Sequence, residues 1–211
     1  MMKKALAAVA LAGVAMSAQA SVAFTENFDN VASLAAKGWV FTNASTPVGS
    51  AATWLQGNAD VFSAQAGAAN SFVSASYLNA GSGGTLNNWL ITPEFDATGG
   101  AQVTFWLNAE DAAGYSDHIA YGFSTGSTAI GSFELAPVFT VPTGGWTMYT
   151  ATLGADTVGM ARFAFQYSGA ADTSDYVGLD SVTVNVPEPA SIALMAGGLL
   201  GLGALRRRQR A

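Results

Sequence analysis

The sequence predicts an all-β fold, an antiparallel jelly-roll-like β-sandwich, and three observations carry that expectation. Apolar and polar residues alternate with period two in short runs, clusters of Gly, Asn, Asp, Ser and Thr separate the runs, and the runs recur about every ten residues. Helix-length patterning is confined to the two chain ends, which read as delivery signals and not as fold.

Taken in chain order, the first element is a signal. Lys3 and Lys4 precede an apolar run from Ala5 to Met16 that is too short for a stable anchor, and Ala18-Gln19-Ala20 gives the small-x-small pattern at which signal peptidase cuts. Residues 1–20 are thus expected to leave, with Ser21 as the mature N terminus. The body, residues 21–185, has a length suited to one domain with a sizeable core. Ala32–Lys37 and parts of Asn58–Ala69 are alanine-rich and long enough only for a helical turn. From Gln102 onward Val103, Phe105 and Leu107 share one face, with Thr104, Trp106 and Asn108 on the other. From Ala161 the same period sets Phe163, Phe165 and Tyr167 against Arg162, Ala164 and Gln166, and Ile119–Phe123, Trp146–Ala151 and Tyr176–Val184 repeat it. Gly81-Ser82-Gly83-Gly84, Thr98-Gly99-Gly100 and Thr143-Gly144-Gly145 read as connections between strands, and Asn185–Pro189 as a linker whose prolines end the last strand.

Residues 186–211 form the last part: Val186-Pro187-Glu188-Pro189, an apolar stretch from Ala190 to Leu205, and a tail with Arg206, Arg207, Arg208 and Arg210. The stretch falls short of the roughly 20 residues that cross a bilayer. It is expected as a short transmembrane-type helix that spans with help from snorkelling arginines or local thinning. The positive-inside rule leaves the tail cytoplasmic and the body outside.

Charge narrows the partners. Residues 21–189 hold all fourteen acids, Glu188 of the motif among them, but only Lys37 and Arg162 as bases, a net charge of −12 once the leader, the apolar stretch and the arginine tail are set aside. Such a surface repels nucleic acid and anionic lipid and attracts cations. With no cysteine and one histidine, His118, disulfides, thiolate metal sites and multi-histidine zinc sites are excluded. Ser116-Asp117-His118 contains the residue types of a hydrolase triad, but neighbours on an extended segment point to opposite faces and no GxSxG elbow occurs. Glu110-Asp111 and the Glu94, Asp96 pair are carboxylates of the type a glycosidase uses, or solvated loop acids.

Calcium is the better use for the acids, since it takes several oxygen ligands from irregular loops and is available to an exported protein. The candidate ligands are Glu26, Asp29 and Asp180, because a first-strand acid and a last-strand acid meet if the terminal strands pair; the alternative is a turn acid and a strand-edge aspartate without a metal. Among Trp39, Trp54, Trp89, Trp106 and Trp146, core packing claims most. Trp106 shares its face with Thr104 and Asn108 and is the one expected to point outward, as a carbohydrate contact.

Two family resemblances add to this reading. Val186-Pro187-Glu188-Pro189, the glycine-interrupted apolar stretch and the arginine cluster together resemble the PEP-CTERM sorting signal of Gram-negative bacteria that secrete exopolysaccharide. That resemblance implies an exosortase-type membrane protease as partner, transient anchoring in the inner membrane before processing, and delivery to the cell surface or beyond. Glu26-Asn27-Phe28, Trp89-Leu90-Ile91-Thr92-Pro93, Val103-Thr104-Phe105-Trp106 and Tyr176-Val177-Gly178-Leu179-Asp180-Ser181-Val182 resemble the choice-of-anchor J, or cleaved-adhesin-type, domain. Ser181 departs from that pattern, where asparagine or aspartate is more usual. The resemblance implies a jelly-roll-like sandwich without a shared catalytic centre. The function expected is that of an exported, non-catalytic surface or matrix protein in adhesion or exopolysaccharide association; the alternative is a secreted carbohydrate-binding module or carbohydrate-active enzyme on the same scaffold.

Overall fold

Alternation becomes pairing in the computed structural model, which describes residues 20–188. The signal peptide through Gln19, Pro189 of the sorting motif, the apolar stretch Ala190–Leu205 and the arginine tail lie outside the described residues. In chain order the strands are β1 (Ala20–Glu26), β2 (Val40–Asn43), β3 (Thr46–Val48), β4 (Leu55–Gln56), β5 (Val73–Ser76), β6 (Ala80–Ile91) and β7 (Phe95–Asp96). They continue with β8 (Ala101–Ala109), β9 (His118–Ser124), β10 (Glu134–Leu135), β11 (Phe139–Thr140), β12 (Thr147–Leu153), β13 (Met160–Ala170) and β14 (Tyr176–Pro187). Among the described residues helical structure is limited to single 3-10 turns, two of them at Val31–Ser33 and Ala35–Lys37, where alanine enrichment predicts a turn.

Two sheets result, one ordered β12-β8-β14-β5-β4 with β1 added beside β14, the other β10-β9-β13-β6-β2 with β11, β3 and β7 attached to β9, β6 and β13. The long ladders β12–β8, β8–β14, β6–β13 and β9–β13 are antiparallel. Inward residues of each period meet between the sheets: Val103, Phe105 and Leu107 of β8, Phe163, Phe165 and Tyr167 of β13, and Val177, Leu179, Val182 and Val184 of β14 are all fully buried. Phe105 meets Phe165 edge to face at 4.9 Å between ring centroids, and Phe163 meets Phe123 at 4.7 Å. The jelly-roll-like sandwich expected from the alternation is the observed fold.

Two local expectations are corrected. Gly81-Ser82-Gly83-Gly84 is no connection but the first half of β6. Its glycines serve a bulge opposite β3, where the register shifts between Thr46 and Val48; a Cβ on Gly81 would lie 2.8 Å from the Pro47 ring and one on Gly84 2.9 Å from the Thr46 carbonyl oxygen. Asn185–Pro187 is no linker either, because β14 continues to Pro187. A proline at a strand's end costs few ladder bonds, and Val186 packs partly buried against the core. Asn58–Ala69 keeps one hydrogen-bonded turn, where the Val61 and Phe62 N–H groups donate to the Asn58 carbonyl (3.1 and 3.4 Å), and otherwise crosses the outer face of the first sheet as an irregular strap.

Candidate functional site

The strap exists because the outer face beneath it is built to receive it. Outward residues of β14 at this level are Gly178 and Asp180. At Gly178 a Cβ would come within 2.8 Å of Phe62 and 2.9 Å of Trp146, so glycine admits both rings. Phe62 stacks on Phe72 at 5.1 Å and meets Trp146 and Tyr176 edge to face at 5.6 and 5.5 Å, a second small apolar core outside the sandwich. Polar bonds pin the strap along its length: Asn58 N–H donates to the Tyr176 hydroxyl (2.8 Å), Trp146 Nε1 to the Ser63 carbonyl (2.8 Å), and Gln65 and Ala66 N–H to Asp180 Oδ2 (2.9 and 3.2 Å).

This arrangement places the three candidate cation ligands. Asp180 is fully buried, and its other oxygen accepts the Ser181 N–H at 2.6 Å. Burial pushes its carboxyl up to about 6, while the N–H groups of Ala66, Ser181 and Gln65 pull the other way. Asp29 addresses the same strap, since a Cβ on Gly67 would lie 3.3 Å from its Oδ1. Glu26 is engaged separately: Oε2 pairs with Lys37 Nζ at 2.9 Å, and Oε1 accepts the N–H of Phe28, holding that buried ring at a left-handed φ of 54°. Glu26, Asp29 and Asp180 therefore do not gather on one point, and among the described residues no three Asp, Glu or His side chains do so. β1 does pair with β14, as the terminal-strand reading requires. Ser181, the departure from the family pattern, stands at the β14 bulge with φ of 51°, a conformation asparagine and aspartate adopt more readily than serine.

Trp106 stands where its period puts it, half-buried on the outer face between Met148 of β12 and Asp180 of β14. Trp39, Trp54 and Trp89 are buried. Asp117 of the Ser116-Asp117-His118 run is buried too, and its carboxylate accepts from the Tyr167 hydroxyl and from the N–H groups of Asp175 (2.9 Å) and Tyr176 (3.2 Å). That carboxylate orients backbone and the Tyr167 hydroxyl.

A groove that sequence reading missed lies at one end of the sandwich. A 3-10 turn, Tyr77–Asn79, forms a ridge between two cavities of about 350 and 710 Å³. Asp175 lines both, Glu110 the smaller, and Asp172 and Tyr115 the larger. Tyr77 and Tyr115 are 44% and 50% exposed. Buried groups hold the ridge rigid: Asn79 Oδ1 accepts the Ser76 N–H (2.9 Å), and its Nδ2 donates to the Ala51 and Thr53 carbonyls (3.0 Å each). Desolvation first, then mutual repulsion with Asp117 and Asp175, raises the Glu110 carboxyl; desolvation and Asp117 raise Asp175. The chemistry offered is that of hydrogen-bond-accepting carboxylates beside aromatic faces. No sequence period announces it, because its parts come from four connections that only the topology joins.

Comparison with known proteins follows the same architecture. The Cleaved Adhesin Domain family matches residues 22–155. The chain belongs to the cleaved adhesin family. Hemagglutinin A of Porphyromonas gingivalis is 34% identical over 128 residues, 53% of this chain and 6% of that protein. Lys-gingipain W83 of the same organism is 33% identical over 128 residues, 53% of this chain and 7% of that protein. This chain thus spans a small fraction of the length of these relatives. Among solved structures, the K1 cleaved adhesin domain of Lys-gingipain from P. gingivalis W83 superposes with a TM-score of 0.59 at 26% identity, covering 77% of this chain and 97% of that one. The K3 domain of Lys-gingipain gives 0.58 at 22% identity, covering 78% and 98%. A PEP-CTERM protein-sorting motif matches residues 185–208 and implies processing by an exosortase. Behind a cleaved adhesin domain, that motif marks an exported, adhesin-like surface protein.

Proposed function

We propose that this cleaved adhesin domain works outside the cell as a non-catalytic attachment module, and that the Tyr77–Tyr115 groove takes polysaccharide. The observation that carries the reading is the groove itself: two exposed tyrosines and three carboxylates line cavities on either side of a ridge fixed by the buried Asn79, with the buried Asp117 holding the backbone at Asp175. Tyrosine rings stack on the apolar faces of sugars while carboxylates accept from hydroxyls, and a rigid frame lowers the ordering cost of binding. Trp106 offers a second contact on a different face. Retention of the full chain on immobilised exopolysaccharide checks this. Tyr77→Ala with Tyr115→Ala should weaken retention at least tenfold, on the order of 1.4 kcal/mol, with Trp106→Ala having the smaller effect and no reducing ends released. Equal retention of all variants removes the groove from the reading, and release of reducing ends replaces it with an enzyme.

Calcium belongs to the same proposal as a clamp and not as a participant in binding. Asp29 and Asp180 address one stretch of the strap, Asp180 is buried, and the body's two bases are engaged elsewhere, Lys37 on Glu26 and Arg162 on the Thr92 and Gly126 carbonyls. Calcium there would take its remaining oxygens from backbone and amide groups of the strap. Melting in calcium against EDTA should differ by several degrees, and identical curves discard the metal. Before processing, the segment beyond the motif is proposed to hold the chain in the inner membrane.

A further inference from the structure

The boundary between fold and sorting motif has no slack. Every residue of β14 through Pro187 is strand, so Val186 and Pro187, the first half of the motif, belong to the sandwich. β14 is an inner strand here, flanked by β8 through the Asn185–Gln102 pair on one side and by β1 on the other. Val184 is fully buried, Val186 packs partly buried against the core, and Thr25 and Thr183 hydroxyls meet at 3.2 Å across the β1 side. Pro187 lies over Gly99, where a Cβ would approach its ring to 3.5 Å. A protease holds its substrate as an extended, unpaired segment, and residues paired on both sides are available to it only through local opening.

From this we infer that the folded domain itself sets the N-terminal limit of sorting cleavage: the chain is cut C-terminal to Pro187, and the mature protein keeps β14 whole. The inference rests on the sorting reading and adds the location of the cut. It also makes folding a condition of correct processing, since the strand that completes the sandwich runs from Tyr176 through Pro187. The sorted product therefore keeps the whole of β14.

Two measurements on the full chain test it. Intact mass and C-terminal peptide mapping of the protein from cells that carry the sorting protease should give termini at Pro187 or beyond. A terminus between Tyr176 and Val186 overturns the inference and leaves sorting standing; an intact Ala211 terminus overturns both. Limited thermolysis of the full chain, purified in detergent from cells lacking the protease, should remove the segment beyond the motif and stop at or after Pro187. Val186→Asp, which takes away the anchor, should speed cleavage inside the end of β14 roughly tenfold, and equal rates in both proteins overturn the inference.

Discussion

Asp180 illustrates how a single side chain can hold structure together at an electrostatic cost. Its carboxylate fastens the strap through Gln65 and Ala66 and steadies the bulge through Ser181, yet it is fully buried in a body with two bases. Burial lifts its folded pKa to about 6 from an ordinary value of 3.8. Between those values the folded state keeps a proton that the unfolded chain has released, so stability falls as pH rises through the window, and the penalty is complete above about pH 6. In chelator, the domain should be more stable near pH 5 than near pH 7 by on the order of 1 kcal/mol from this group. Glu110 and Asp175, raised in the same direction, add to the slope. Asp180→Asn should flatten it, as urea unfolding at the two pH values will show; stability that climbs from pH 5 to 7 would mean the carboxylate is compensated by a group outside this account.

The strap is the element on which the outer face depends, and Gly178 is the position that lets it close. Gly178→Ala would drive a methyl into Phe62 and Trp146 and should cost about 1–3 kcal/mol. Trp146 emission should shift to the red as its bond to Ser63 loosens. Gly131→Ala, where nothing lies within 4 Å of the new methyl, should stay within about 0.5 kcal/mol of the parent. Equal losses at both sites would remove the packing argument. The strap also marks where sequence stops being legible. Alternation in β8 and β13 could be read directly because each strand has one face in a shared core, so Val103, Phe105, Phe163 and Phe165 declare themselves. Phe62 and Phe72 carry no period, since an irregular segment fixes its side chains by contacts far along the chain. Gly81–Gly84 misled for the opposite reason: turn-forming composition was doing the work of a bulge, where Pro47 needs room. Of the candidate site, the outward stance of Trp106 was legible from period two, whereas the groove beside Tyr77 and Tyr115 depends on connections between sheets that one sequence does not reveal.

At the scale of the whole molecule, the −12 charge of residues 21–189 is spread over a domain with a radius of gyration of roughly 15 Å. At about 10 mM salt the screening length is roughly 30 Å, so every carboxylate feels every other; at about 150 mM it drops to roughly 8 Å and the repulsion becomes local. Unfolding spreads the charges apart, so repulsion is a term that low salt adds against the folded state. The single described ion pair, Lys37 with Glu26, works the other way but is half exposed at the lysine and contributes little. Melting temperature should therefore rise by several degrees from about 10 to 150 mM sodium chloride at neutral pH in chelator, and potassium chloride should match it if screening is the cause. A melting temperature that falls with salt would show that attractive pairs outweigh the repulsion, and the acidic body would then need another explanation than delivery to a saline, cation-rich exterior. The same screening argument bears on binding: a neutral polysaccharide in the Tyr77 groove should be held equally at both salt concentrations, whereas a cationic one would be released as the salt is raised.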